Sequence, residues 1–310
     1  MSWFEDARIG GKYWQIMVDG TQIASSRKKM DGESLYRIHQ KGTEKEYMEY
    51  YYYVLEAKLM LGTKIAVSIA TEFVKNEGTE VEKQDCERKA CWRLFEKLKK
   101  EFPRLPICIC GDSLYACERF FEECNKRHWH SILRFKKGSI RSIYEDYEAL
   151  RGLEKNPQTE VEGKKTVWYD YVKAIDYRGY LVTVAEYGEE KEIRFTFLTD
   201  LPVNKKNIKR LIEDGRKRWK IEKEGFNQQK KHGYYLEHLY SYKYQAIKNH
   251  YYLIQIGHMI WQLLENWKKL WKKVKQSLEQ KHRRLLESFK KENIKNYQVE
   301  IEKKIQIRLE

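Results

Sequence analysis

The stretch Ile107-Cys108-Ile109-Cys110 constrains the fold more than any other. It is a short, unbroken apolar run, of the kind found in a strand covered on both faces. Gly111-Asp112-Ser113 ends it. Helical periodicity stands on either side. Ala90, Cys91, Leu94, Phe95 and Leu98 recur at helix spacing before Pro103 and Pro106, and Leu114, Cys117, Phe121 and Cys124 recur after it, over Leu114 to Arg127. Trp129 to Phe135 reads as the next strand. A β-α-β-α-β order requires a sheet with helices on its faces, so the predicted class is α/β.

The residues before this unit are β-rich. Trp14 to Thr21 predicts a strand that delivers Asp19 at its end, with Gly20 allowing a turn or bulge. Ser34 to Gln40 is a short strand. Tyr50 to Lys58 and Lys64 to Phe73 form a hairpin about Leu59-Met60-Leu61-Gly62-Thr63. Residues 137–163 are polar and predict a loop. Strands follow over Thr166 to Ile175, Tyr180 to Tyr187 and Glu192 to Leu198. The segment 137–203 is therefore a β-rich insertion rather than a domain. Asp200 or Asn204 is placed to cap the helical region that follows, where Ile208, Leu211 and Ile212 supply the apolar face and Gly215 is a possible break. Beyond Gly233 the chain is helical. Ile260, Leu264, Trp267, Trp271 and Val274 make a heptad-like seam with lysines beside it, too short to predict a free coiled coil.

Charge narrows the partners. The 310 residues hold 61 Lys and Arg against 46 Asp and Glu, a formal charge of +15, with 23 Tyr and 9 Trp. Excess cations among flat rings favour a polyanion, most simply nucleic acid, although membrane-surface or ribosomal roles share this signal. The six cysteines form no CxxC pair and no secretory signal precedes them, so reduced thiols are expected. Cys124, His128 and His130 make a conceivable zinc site, but small buried hydrophobes account better for these cysteines. The apolar stretch Tyr251 to Trp267 is too short and polar to span a bilayer, and Met1 to Asp6 does not resemble a targeting signal. A soluble, intracellular protein is expected.

On an α-helix, Arg218, Glu222, Gly225 and Gln229 share one face, with Trp219 and Phe226 as an adjoining apolar stripe. Taken singly, Glu222 is an ordinary i,i+4 partner of Arg218, Asp19 a turn residue and Asp112 a helix cap. Taken together, two strand-end aspartates and a helical glutamate imply more. Ligands gather beyond the carboxyl ends of strands in such sheets. Clustered carboxylates repel unless a cation separates them, and hard oxygen ligands select Mg²⁺ or Mn²⁺.

This arrangement resembles the DDE transposases of bacterial insertion sequences. The resemblance is carried by Val18-Asp19-Gly20-Thr21, by Ile109-Cys110-Gly111-Asp112-Ser113-Leu114-Tyr115, and by Arg218-Trp219-Lys220-Ile221-Glu222. Gly225 to Lys230 and Gly233 to His238 extend the last match. The likeness covers most of residues 10–240 and is nearest to the cut-and-paste group with a β-rich insert before its glutamate helix. It implies a ribonuclease-H-like core from residues 1–136 and 204–238, the insertion 137–203, and a helical region 239–310. It implies a catalytic, metal-holding triad of Asp19, Asp112 and Glu222 with two Mg²⁺ ions, which Mn²⁺ replaces, cleaving and joining DNA strands. Arg218 and Lys230 would contact the DNA backbone, with Gln229 and Trp219 as further DNA-binding candidates. Trp168 is a candidate for stacking on an unpaired base, with core packing as the alternative. Double-stranded transposon ends and target DNA are the implied partners, with a hairpin intermediate, a dimer on paired ends and a bacterial, nucleoid-associated location.

Three departures stand out. Gly215 occupies the place of an aromatic, Lys230 lies eight residues after Glu222 rather than seven, and Asp19 lies close to Met1, where relatives carry a DNA-binding region. A truncated or inactive remnant that only binds DNA is therefore the alternative, and a nuclease that cuts without joining is a third.

Overall fold

The computed structural model describes residues 8–266 except 32–33, 63–64, 75–82, 152, 154–156 and 191, together with 280, 283 and 287. The chain divides into two units, Met1–Trp267 and Lys268–Glu310. The predicted seam residues Trp267, Trp271 and Val274, and most of the helical region 239–310, lie outside the described residues.

Among the described residues, eleven strands join in one mixed sheet, ordered β3 (Leu35–His39), β4 (Tyr47–Leu61), β2 (Tyr13–Ser26), β6 (Ile107–Gly111), β7 (His130–Phe135), β11 (Glu192–Thr199), β10 (Tyr180–Glu189), β9 (Lys165–Tyr177) and β8 (Gln158–Glu162). The remaining two, β1 (Arg8–Ile9) and β5 (Ile65–Phe73), pair with β2 and β4. Among the described residues, only β2–β6 and β6–β7 are parallel. β6 and β7 are joined through α2 (Glu118–Lys126) and the chain returns to β6 from β5 through α1 (Lys83–Glu101), since a tight hairpin turn cannot serve a parallel connection.

Alternation along the strands sorts side chains to the two faces. Ile16, Val18, Ile107 and Ile109 enter one core, with α1 (Lys83–Glu101), α2 (Glu118–Lys126) and α3 (Arg141–Arg151) over it. Met17, Cys108, Cys110 and Ile132 enter the other. That face is covered by α4 (Ile208–Arg216), the turn around Ile221 and Phe226, and α6 (Tyr244–Asn266). The mixed α/β class predicted from Ile107–Cys110 is the one observed. Cys91, Cys108, Cys110, Cys117 and Cys124 are free thiols, and burial pushes Cys91, Cys108 and Cys124 above the ordinary thiol range. No helix among the described residues is long and apolar enough to cross a membrane.

Several elements differ from expectation. The loop predicted for 137–163 contains α3, whose Ile143 and Tyr147 are buried, and the edge strand β8. Its polar residues are the solvent faces of amphipathic elements. Within the segment 137–203, β11 pairs antiparallel with β7 from Thr196↔Phe135 to Thr199↔Ile132 and so prolongs the core sheet. Asp19 does not end its strand either. β2 continues to Ser26 against β4, with a register shift between Gln22 and Ala24.

The segment 216–230 is not one regular α-helix. α4 ends at Arg216, a π-helical turn spans Ile221–Phe226, and α5 is the short Asn227–Lys231. The Asn227 N–H donates to the Glu222 carbonyl five residues back. This wider winding divides the face drawn through Arg218, Glu222, Gly225 and Gln229. Glu222 is exposed, whereas Gly225 and Gln229 are buried.

Candidate active site

The parallel register of β2 and β6 brings two acids level. Met17 pairs with Cys110, and Asp19 and Asp112 each lie two residues further along. Adjacent strands are about 5 Å apart, so the two carboxylates start from neighbouring positions at the same end of the sheet. The Gly20 N–H donates to Asp19 Oδ1 at 3.1 Å. Asp112 caps the 3₁₀ turn Ser113–Tyr115, its Oδ1 accepting from the Leu114 N–H at 2.8 Å. The capping role of Asp112 and its place in the cluster are compatible, since one oxygen serves the cap.

Glycines flank both acids for steric reasons. A Cβ on Gly20 would stand 2.5 Å from the Tyr53 ring and hydroxyl, and one on Gly111 would stand 2.8 Å from the Tyr115 ring. Both tyrosines point to the same carboxylate. Glu87 of α1, buried, accepts the Tyr53 O–H at 2.8 Å on Oε2 and the Tyr115 O–H at 2.9 Å on Oε1. Burial, reinforced by Glu87, holds both phenols above their ordinary range.

Asp19, Asp112 and Glu87 line one open cavity of about 570 Å³ with Tyr53, Arg88, Lys136 and Lys137. Asp19 responds to this company. Burial raises its carboxyl to about 7; the Arg218 charge and the Gly20 N–H oppose the rise, and Asp112 and Glu87 add to it. Arg218 Nη1 lies 3.4 Å from Asp19 Oδ2, with 12% and 18% of the two side chains exposed. Two level carboxylates, one of them costly to ionise, offer hard oxygen donors suited to Mg²⁺ or Mn²⁺. The lysines and Arg88 place cations in the same cavity.

The third predicted acid is placed differently. Glu222 is exposed on the π-helical turn and does not line this cavity. Among the described residues, no three His, Cys, Asp or Glu side chains converge as a metal-holding group. The described Cys124, His128 and His130 therefore form no such group, and His130 Nδ1 instead meets Asp200 Oδ2 at 2.7 Å.

The predicted DNA-contacting residues also separate. Arg218 turns inward to Asp19. Gln229 is fully buried, its Nε2 donating to Gln255 Oε1 at 2.9 Å, with His258 Nδ1 3.0 Å away. So placed, Gln229 presents no exposed surface. Lys230 pairs with Glu237 Oε1 at 2.7 Å. Trp219 packs edge-on against Phe195, ring centres 4.8 Å apart. At Gly215, a Cβ would lie 2.7 Å from the Phe197 ring, so an aromatic there has no room. Trp168 is half-buried over Gly188 and donates through Nε1 to the Glu190 carbonyl at 2.9 Å, outside either core cluster.

Glu87, Lys136 and Lys137 escaped sequence reasoning. For Glu87 a signal existed: with Cys91, Leu94 and Leu98 it follows 4, 3, 4 spacing, so a charge sits on the buried stripe of α1. Neither a protein-family model nor a curated protein sequence matches this chain.

Proposed function

We propose that the chain is a metal-dependent DNA transposase of the DDE type on a ribonuclease-H-like core. The observation that carries this reading is the level placement of Asp19 and Asp112 on adjacent parallel strands, in a cavity that also presents Arg88, Lys136 and Lys137. Asp19 and Asp112 would hold Mg²⁺ or Mn²⁺, with Glu222 as the third ligand once its turn is drawn towards them. Bound divalent ions would activate an attacking oxygen and neutralise the leaving oxygen of a phosphodiester.

The protein's own residues position the strand. Lys136, Lys137 and Arg88 hold backbone phosphates in the cavity. Arg218, released from Asp19, turns to the phosphate beside the cleaved bond. A net charge of +15 supports duplex binding that weakens steeply with salt.

A second reading is a remnant that binds DNA without cutting it. The exposure of Glu222 and the contact of Arg218 with Asp19 favour it. Nicking of supercoiled DNA in Mg²⁺ or Mn²⁺ separates the two. The expected outcome is metal-dependent nicking abolished by Asp19→Ala and lowered at least 100-fold by Glu222→Gln, in keeping with the loss of a group acting in the transition state. DNA binding without nicking at any divalent concentration would establish the remnant. A pre-cut 3′ end that fails to join target DNA, with nicking intact, would indicate a nuclease.

A further inference from the structure

Glu87 belongs to no motif of the resemblance, yet both of its carboxylate oxygens are engaged within the cavity that holds Asp19 and Asp112. The two tyrosines it accepts from are those whose rings fill the space beside Gly20 and Gly111. Gly20 directly follows Asp19, and Gly111 directly precedes Asp112. One carboxylate on α1 thus ties a side chain of β4 and one of the 3₁₀ turn against the backbones of both acids. Charge-assisted O–H···O⁻ bonds are stronger than neutral ones, and a Tyr ring pressed on a glycine backbone leaves it little room to shift.

We propose that Glu87 is a positioning residue that sets the separation of Asp19 and Asp112 through Tyr53 and Tyr115, and so fixes the divalent-cation site. This rests on the transposase reading insofar as that reading makes the two aspartates metal ligands. Groups that orient ligands from behind typically alter metal affinity 10- to 100-fold when removed.

Direct Mn²⁺ titration of the full chain by calorimetry, with melting temperature and duplex affinity recorded in parallel, provides the test. Glu87→Gln keeps the shape but replaces one acceptor by an amide donor. Its Mn²⁺ affinity is expected to fall about 10-fold with duplex affinity unchanged. Tyr53→Phe/Tyr115→Phe, which keeps both rings, is expected to show the same loss and to add nothing to Glu87→Gln. It also carries the test should Glu87→Gln fail to fold. Mn²⁺ affinity at the wild-type level in either variant would overturn the proposal. If Asp19→Asn itself leaves Mn²⁺ binding unchanged, or if the wild-type chain binds no Mn²⁺, the transposase reading fails and this inference falls with it.

Discussion

Asp19 carries a cost to folding stability. Its carboxyl is raised to about 7 by burial, whereas an unfolded Asp titrates near 4. The folded state thus disfavours the ionised form, and stability is lost as pH rises from about 4 through 7. Asp19→Asn removes that loss. It is expected to be more stable than wild type at pH 8, by at most about 4 kcal/mol, with the advantage vanishing below about pH 4. Added Mg²⁺ should raise the melting point of wild type and leave the Asn variant unmoved, as thermal melts across pH will show. The neighbouring placement of the two aspartates was legible because a strand-like stretch leads into each: Trp14–Val18 and Ile107–Cys110. Glu87 was marked only by its place on the buried stripe of α1; its role was hidden, since Glu and Lys crowd α1 and its tyrosine partners are distant in sequence, at separations of 34 and 28.

At the scale of elements, the strands were more legible than the glutamate segment. Alternation and β-branched content located β9, β10 and β11 closely, whereas the π-helical turn at Ile221–Phe226 leaves no mark in an α-helical wheel. Its inner side rests on a buried polar layer. Lys58, fully buried, donates to Gln255 Oε1 at 3.3 Å and lies 3.2 Å from the place a Gly225 Cβ would take. Glu56 accepts from Thr71 at 2.7 Å and Tyr251 at 2.6 Å, and from Ser68. Burial lowers Lys58 to about 8 and raises Glu56, and the charge of each opposes the shift of the other. Lys58→Ala is expected to cost about 3–5 kcal/mol, and Glu56→Gln/Lys58→Met much less, as denaturant unfolding will measure. Gln229→Ala should lose about 1–3 kcal/mol of stability with duplex affinity intact. A drop in duplex affinity without a drop in stability would restore Gln229 to the DNA surface.

For the molecule as a whole, the sheet is what makes the site. The unit Met1–Trp267 carries one sheet from β3 to β8, and the β-rich segment extends it through β11 rather than hanging from it. That continuity was hidden because strand pairing between β7 and β11 spans the segment read as a loop and insert. The central claim is that Asp19 and Asp112 together hold a divalent ion. Electron paramagnetic resonance of Mn²⁺ titrated into the full chain with duplex DNA reads this most directly. Bound Mn²⁺ is expected in the wild-type protein, lost in both Asp19→Asn and Asp112→Asn and weakened in Glu222→Gln. Mn²⁺ bound equally by all four proteins, or by none, would contradict it.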